Sequence, residues 1–365
     1  MIKKSTEAGQ PNRVFVWATG QDDNIGDSLL RRAYLGRLRE IGDLTVWIGS
    51  GSASFISGLG LTKADRIVSS YLRWYREALA AGARGRTVVA VNAGEVPVSR
   101  RGAARMMSIV LLVLFVRVRG GAGVWVGAGV PIPRERTALA HCYWLMRRVC
   151  SYAGFRDRES LDVVGSAEVV PDWAFELGSS VHDWQPIEFR STLAVVLRGD
   201  RPYPSSDWIN WLRDFATRLA LTVVVVVQVS RDLETADRLA NDLSGTVVEF
   251  TADDHKTQEK CLRKVYADSA VAVGDRLHGL IVAATEGAVP LGWVSSSGGK
   301  ISRHFDAIGL SWVGQHEGSE HCLRVELDID DIRTLRAQLD ESICATRIRL
   351  DQIANELTLG AGANT

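Results

Sequence analysis

Short apolar runs, several of them valine-rich, alternate along the chain with longer stretches whose apolar positions recur at helical spacing. The runs 13–18, 44–48, 87–91, 124–126 and 152–155 predict strands. The stretch 24–40, with Ile25, Leu29, Ala33 and Leu38 near helical spacing, predicts a helix, as does 135–150. The pattern loosens over 177–190, which carries Gly178, Ser179, Ser180 and Pro186 and reads as a linker. It then restarts. Strands are expected at 192–197, 222–228 (with five consecutive valines), 246–250, 270–273 and 290–294. Helices are expected at 206–219, 232–243, 258–267 and 277–286. A long helical region over 329–357, with room for one break, closes the chain.

Repeated β-α-β units with strands apolar on both faces imply parallel sheets covered on both sides. The expected fold class is therefore α/β, with two Rossmann-like domains whose parallel sheets face a cleft. The boundaries read as a loose tail at 1–12, an N-terminal domain at 13–176, the linker, a C-terminal domain at 191–328, and a terminal helical region and tail at 329–365. In such sheets ligands sit beyond the carboxyl ends of the strands.

Charge narrows the functions open to this fold. Lys and Arg number 43, as do Asp and Glu. No whole-protein basic field for nucleic acid exists, so anion binding must be local. Five cysteines without a CxxC pair argue against a disulfide framework or a zinc ribbon and fit a reducing cytoplasm. The N-terminal stretch has no apolar run behind its lysines, so it does not read as a secretory signal. The apolar run 106–116, with arginines on both sides, is too short to span a bilayer. Burial between two strands is the favoured reading, and a helix resting on an anionic membrane face is the alternative.

Candidate chemistry clusters where strands end. Asn24-Ile25-Gly26-Asp27 follows the first strand and opens a helix, so Asp27 is either a capping carboxylate or a site residue. Gly26 permits close approach by a ligand. Gly127-Ala128-Gly129 begins a dinucleotide fingerprint that fails at Ile132, which argues against NAD. The run 295–302 lacks the spacing of a nucleotide phosphate loop but remains a small-residue turn with Lys300 in reach. His316, His321 and Cys322 match no familiar metal spacing and read as a solvated loop. The sharpest element is Gly274-Asp275-Arg276-Leu277-His278-Gly279-Leu280, between a strand and a helix. A helix start offers free N–H groups, Arg276 a planar fork for phosphate or carboxylate, and His278 a proton near neutral pH. Arg198 ends the first strand of the second block, where it either points into the cleft or pairs with Asp200 or Asp232.

Taken in order, these features resemble the polysaccharide pyruvyl transferase family. The resemblance rests on Asn24 to Asp27 as an N-x-G-D loop, Arg156-Asp157-Arg158-Glu159-Ser160 as R-D-x-x-S, and Pro171-Asp172. It rests also on Leu197-Arg198, on Arg276-Leu277-His278 with Ala283 and Gly287, and on Lys300. Pro290 comes one residue later than the family pattern, and 91–95 is more polar than usual. The resemblance implies a GT-B-like fold and transfer of pyruvate from phosphoenolpyruvate onto two hydroxyls of a sugar in a glycan or glycolipid, forming a ketal. By it, Arg198, Arg276, Leu277, His278 and Lys300 line the donor site. Asn24, Gly26 and Asp27 face the acceptor. His278 is the candidate acid, and Asp27 or Glu95 the candidate base. No metal or cofactor is expected, and the enzyme is expected in the cytoplasm, with peripheral membrane contact as an option. Two other classes stay open: a nucleotide-sugar glycosyltransferase and a non-catalytic binding protein on the same fold.

Overall fold

The computed structural model describes residues 12–132, 138–248, 250, 254–293, 299–314 and 326–361. His316, His321, Cys322 and most of the turn before Lys300 lie outside the described residues. The N-terminal sheet comprises β1 (Asn12–Trp17), β2 (Gly42–Trp47), β3 (Arg66–Val68), β4 (Thr87–Ala90), β5 (Ala122–Ala128), β6 (Tyr152–Phe155) and β7 (Glu168–Val169). All pairings are parallel, in the order β3-β2-β1-β4-β5-β6-β7. Its helices are α1 (Ile25–Arg39), α2 (Ala53–Gly58), α3 (Tyr71–Arg84), α4 (Arg100–Val118), α5 (Ala140–Val149) and α6 (Arg158–Val164).

The C-terminal sheet holds β8 (Thr192–Val196), β9 (Thr222–Val225), β10 (Thr246–Val247), β11 (Ser269–Gly274) and β12 (Val289–Gly292), in the order β10-β9-β8-β11-β12. It carries α7 (Ser206–Arg218), α8 (Leu233–Asp242), α9 (His255–Ala267), α10 (Leu277–Thr285) and α11 (Lys300–Asp306). The fold is thus α/β with two parallel sheets, as the alternation implies. Strand order reverses between β1 and β4 in one sheet and between β8 and β11 in the other. Such switch points open a crevice at the carboxyl strand ends, and here the two crevices face each other.

Several elements differ from expectation. The strand expected at 246–250 forms only over Thr246–Val247, at the sheet edge. The helix expected at 258–267 starts earlier, because Asp254 accepts from the backbone of Lys256 and Thr257 and caps it. The terminal helix α12 (Ile329–Gly360) runs 32 residues without a break. It begins on a reciprocal Asp328–Asp331 capping box.

α12 also ties the two halves together. Arg336 donates to Gly287 O at 2.6 Å in the C-terminal half, and Tyr152 of β6 donates to Glu356 at 2.8 Å. Between them Arg347 donates to Leu177 O and Ser179 O, clamping the segment that joins the sheets. That segment carries 3-10 turns at Val181–Asp183 and Ile187–Phe189. It ends at buried Arg190, which donates to Tyr266 O, Ser269 O and Glu286 O.

The apolar run 106–116 lies in α4, between β4 and β5 in chain order. Met106, Ile109, Val110, Leu112, Val113 and Val116 are buried against the sheet, while Leu111, Leu114 and Phe115 face outward. No helix among the described residues is long and apolar enough to cross a membrane.

Candidate functional site

The facing crevices enclose a cleft cavity of about 630 Å³. Its walls include Asn24, Asp27 and Glu95 from the N-terminal half, and Arg198, Arg276, Leu277, His278 and Lys300 from the C-terminal half. The structure thus gathers into one cleft residues that the chain separates by up to about 280 positions.

On the C-terminal wall, Arg276 occupies the N-cap of α10 with an extended backbone and no side-chain cap. The first N–H groups of that helix are left to other partners. Its buried guanidinium pairs with Asp232, itself 1% exposed. Arg198 pairs with Asp200 through two bonds of 2.8 and 2.7 Å, which resolves the alternative pairings expected for it. That hydrogen bond, with the charge of Arg198, outweighs a slight burial effect and lowers the Asp200 carboxyl to about 2. Asp275 accepts from the Arg198 backbone N–H at 2.7 Å and sits 3.4 Å from Arg201. Burial dominates at Asp275 and raises its carboxyl to about 6 despite these partners.

On the N-terminal wall, Asn24 caps α1 by accepting from Gly26 N at 3.1 Å. The same oxygen accepts from Gln228 Nε2 across the cleft at 2.8 Å. Asp27 pairs with Arg31 one turn on, at 2.6 Å. Glu95 pairs with Lys300 across the cleft and lies 3.7 Å from Arg156. Both candidate bases therefore already hold cationic partners.

Gly26 permits a close approach, as expected, but the group that approaches is the His278 ring. A Cβ at Gly26 would lie 2.3 Å from His278 Nδ1. His278 Nε2 lies 3.6 Å from Oδ2 of Asp172, beyond hydrogen-bond reach but within ion-pair range. His304 Nε2 approaches the same oxygen at 3.8 Å, and Arg156 Nη1 donates to it at 3.2 Å. Burial alone would raise the Asp172 carboxyl; the facing His278 ring and the Arg156 guanidinium outweigh it and hold the group well below the usual carboxylate range. His304 is pushed the other way, toward its neutral form, by burial and by Arg156.

Arg31, Arg156, Asp172, Gln228 and His304 are members of this cluster not expected as site residues. Arg31 carries an i+4 signal from Asp27, and Asp172 was visible only as part of the family-like Pro171-Asp172 step. His304 has no sequence signal. Buried atoms without hydrogen-bond partners gather around the same cleft: Nε of Arg31, Arg156 and Arg276, Nε2 of His278, Oε1 of Gln228 and Oδ2 of Asp232. Buried polar groups are rarely left unpaired in folded proteins, and a polar anionic ligand is suited to several of these. Among the described residues no group of three or more His, Cys, Asp or Glu is arranged to hold a metal ion.

Comparison with known proteins bears on fold and family. A family model described as polysaccharide pyruvyl transferase matches residues 20–291. No curated protein sequence matches the chain. Among solved structures, Anabaena Alr3699/HepE in complex with UDP and glucose is similar at 10% identity and a TM-score of 0.53. That match covers 96% of this chain and 100% of the other. A Thermobaculum terrenum O-GlcNAc transferase is similar at 12% identity and a TM-score of 0.50, over 95% of this chain and 66% of that one. At such identities the likeness concerns the fold, the GT-B arrangement of two Rossmann-like halves. Fold and family together indicate a transferase with a glycan acceptor. The family match spans well over half of the chain and includes residues of both walls of the cleft, from Asn24 to His278, so this protein belongs to the polysaccharide pyruvyl transferase family.

Proposed function

We propose that the cleft transfers pyruvate from phosphoenolpyruvate to two hydroxyls of a sugar, forming a ketal and releasing phosphate. One observation carries this reading. The His278 ring sits between Gly26 of the opposite wall and the ionised Asp172, on the rim of a cavity flanked by Arg198 and Arg276. Phosphoenolpyruvate presents a phosphate and a carboxylate, which suit guanidinium forks and a helix start with free N–H groups.

The steps follow from that placement. His278 delivers a proton to the methylene carbon, and Asp172 faces the imidazolium that carries it. One sugar hydroxyl attacks the adjacent carbon and passes its proton to a base, for which Asp27 and Glu95 are the candidates. Phosphate then leaves, the second hydroxyl closes the ring on the same carbon, and its proton leaves with the phosphate. The intermediate is reactive toward water, so closure of the two halves around it is part of the mechanism. Donor contacts fall to Arg198, Arg276, Leu277, His278 and Lys300, and acceptor contacts to Asn24, Gly26 and Asp27. This donor belongs to the cytoplasm, where the protein is accordingly expected.

The reading is tested by calorimetric titration of the protein with phosphoenolpyruvate and, in parallel, with UDP-hexoses. Saturable binding of phosphoenolpyruvate that is lost in Arg276→Ala and Arg198→Ala supports it. Preferential binding of a sugar nucleotide would replace it with the glycosyltransferase reading, and donor binding without turnover would indicate a binding protein.

A further inference from the structure

The chain is neutral as a whole, but its charge is not evenly spread. Residues 71–150, which include α3, α4 and α5, hold 13 arginines against three glutamates, with no lysine or aspartate. Two of those glutamates are taken: Glu77 by Arg66 and Arg73, and Glu95 by Lys300 in the cleft. The third, Glu135, lies outside the described residues.

The same helices carry unpartnered apolar surface. Leu111, Leu114, Phe115 and Val118 of α4 are 58, 43, 36 and 86% exposed. Their spacing puts them on one side of the helix. α4 lies between α3 and α5: Arg119 donates to Ala83 O at 3.0 Å and Arg117 to Val149 O at 2.9 Å. Trp144 of α5 adds exposed aromatic surface, with Arg148 stacked over it at 5.1 Å.

From this juxtaposition we propose that the α3–α4–α5 face docks peripherally on an anionic lipid bilayer. An apolar stripe bordered by arginines matches the boundary between acyl chains and charged headgroups. A nucleic-acid backbone would engage the arginines but leave the stripe without a partner. A second copy of the chain would cover the stripe but bring two basic faces together, which repel. Arg101 and Arg105, in the first turns of α4, line the cleft. A bilayer along α4 therefore borders the cleft rim. The surface stands independently of the transfer reaction.

Vesicle flotation tests the proposal, with phosphatidylcholine vesicles prepared with and without phosphatidylglycerol. The protein floats with phosphatidylglycerol vesicles and not with phosphatidylcholine alone, and added salt releases it. Arg84→Gln and Arg148→Gln each lower the partition coefficient about fivefold, the equivalent of about 1 kcal/mol per arginine. Leu111→Gln with Leu114→Gln abolishes flotation at an unchanged melting temperature. Should that pair unfold, Val118→Gln, the most exposed position of the stripe, takes its place. Failure to float on phosphatidylglycerol vesicles overturns the proposal, as does flotation indifferent to both the stripe and the arginines. Tight binding of a DNA duplex without vesicle binding, or dimerisation lost on changing the stripe, overturns it in favour of those partners.

Discussion

The two walls of the cleft use the same kinds of side chain and hold them differently. On the C-terminal wall each guanidinium has a carboxylate: Arg198 has Asp200, Arg276 has Asp232, and Arg231 has Asp23 of the other half. A ligand anion there must compete with a carboxylate already in place. At the N-terminal wall one buried carboxylate, Asp172, is shared by Arg156 and by two histidines that reach it from the other half of the chain. The first arrangement suits binding, since it keeps cations charged and oriented before a ligand arrives. The second links proton-bearing groups to the relative position of the two halves, because the cluster exists only when both walls meet.

The sharpest way to break this contrast is at the shared carboxylate. His278→Gln lowers turnover about 10²–10⁴-fold, the usual loss for a general acid, with donor affinity falling only modestly. Asp172→Asn lowers turnover in the same direction without a matching rise in the donor dissociation constant. Rapid-quench turnover alongside calorimetry separates the two quantities. Near-normal turnover with a raised Michaelis constant would make His278 a positioning group. Gly26→Ala adds a methyl where the His278 ring already lies, and misplacement on that scale costs about 10²-fold in turnover. Loss of donor affinity alone in that variant would count against the contact between walls.

The C-terminal wall gives smaller effects. The Asp275 carboxyl is raised to about 6 from an ordinary value of 3.8, so the folded protein binds the extra proton. Folded stability therefore falls as pH climbs from about 4 to about 6 and levels off above that, a change of about 2–3 kcal/mol from this group. Asp275→Asn removes that slope in urea melts recorded across the range; an unaltered slope would place the shift elsewhere. Arg276→Ala weakens phosphoenolpyruvate binding by about 1.5–3 kcal/mol and also strands the buried Asp232 charge. Adding Asp232→Asn restores the melting temperature but not the donor affinity. Smallest is Asp27→Asn, expected to slow transfer about tenfold, or about 1.4 kcal/mol, with donor binding unchanged. A loss of donor affinity there would move Asp27 to the donor side.

The contrast between the walls also explains what could be read from the chain. Gly274 to Gly279 is contiguous and runs from the end of β11, whose six residues are all buried, into the start of α10, so both its place and its chemistry were legible. The start of α1 was legible too, but its cap is Asn24 and not Asp27, which lies in the first turn and pairs with Arg31. The Asp172 cluster joins residues 172, 278 and 304, and no local pattern encodes a contact that only the packing of two domains creates. His304 sits in a seven-residue helix, too short for periodicity to show. α3 was missed although Trp74, Ala78 and Ala81 repeat at helical spacing. The terminal helix was expected to allow a break, but it contains neither proline nor an interior glycine, and its buried positions continue from Ile332 to Leu357.

Whether this cleft makes a ketal from phosphoenolpyruvate shows in the products of one reaction. The protein is mixed with phosphoenolpyruvate and a panel of hexoside acceptors, and orthophosphate release is followed together with the mass of the acceptor. Acceptor-dependent phosphate release is expected, one equivalent for each acceptor gaining a pyruvate ketal, with both signals lost in His278→Gln. Phosphate release without a heavier acceptor, or transfer of a hexose from a sugar nucleotide in its place, would contradict it.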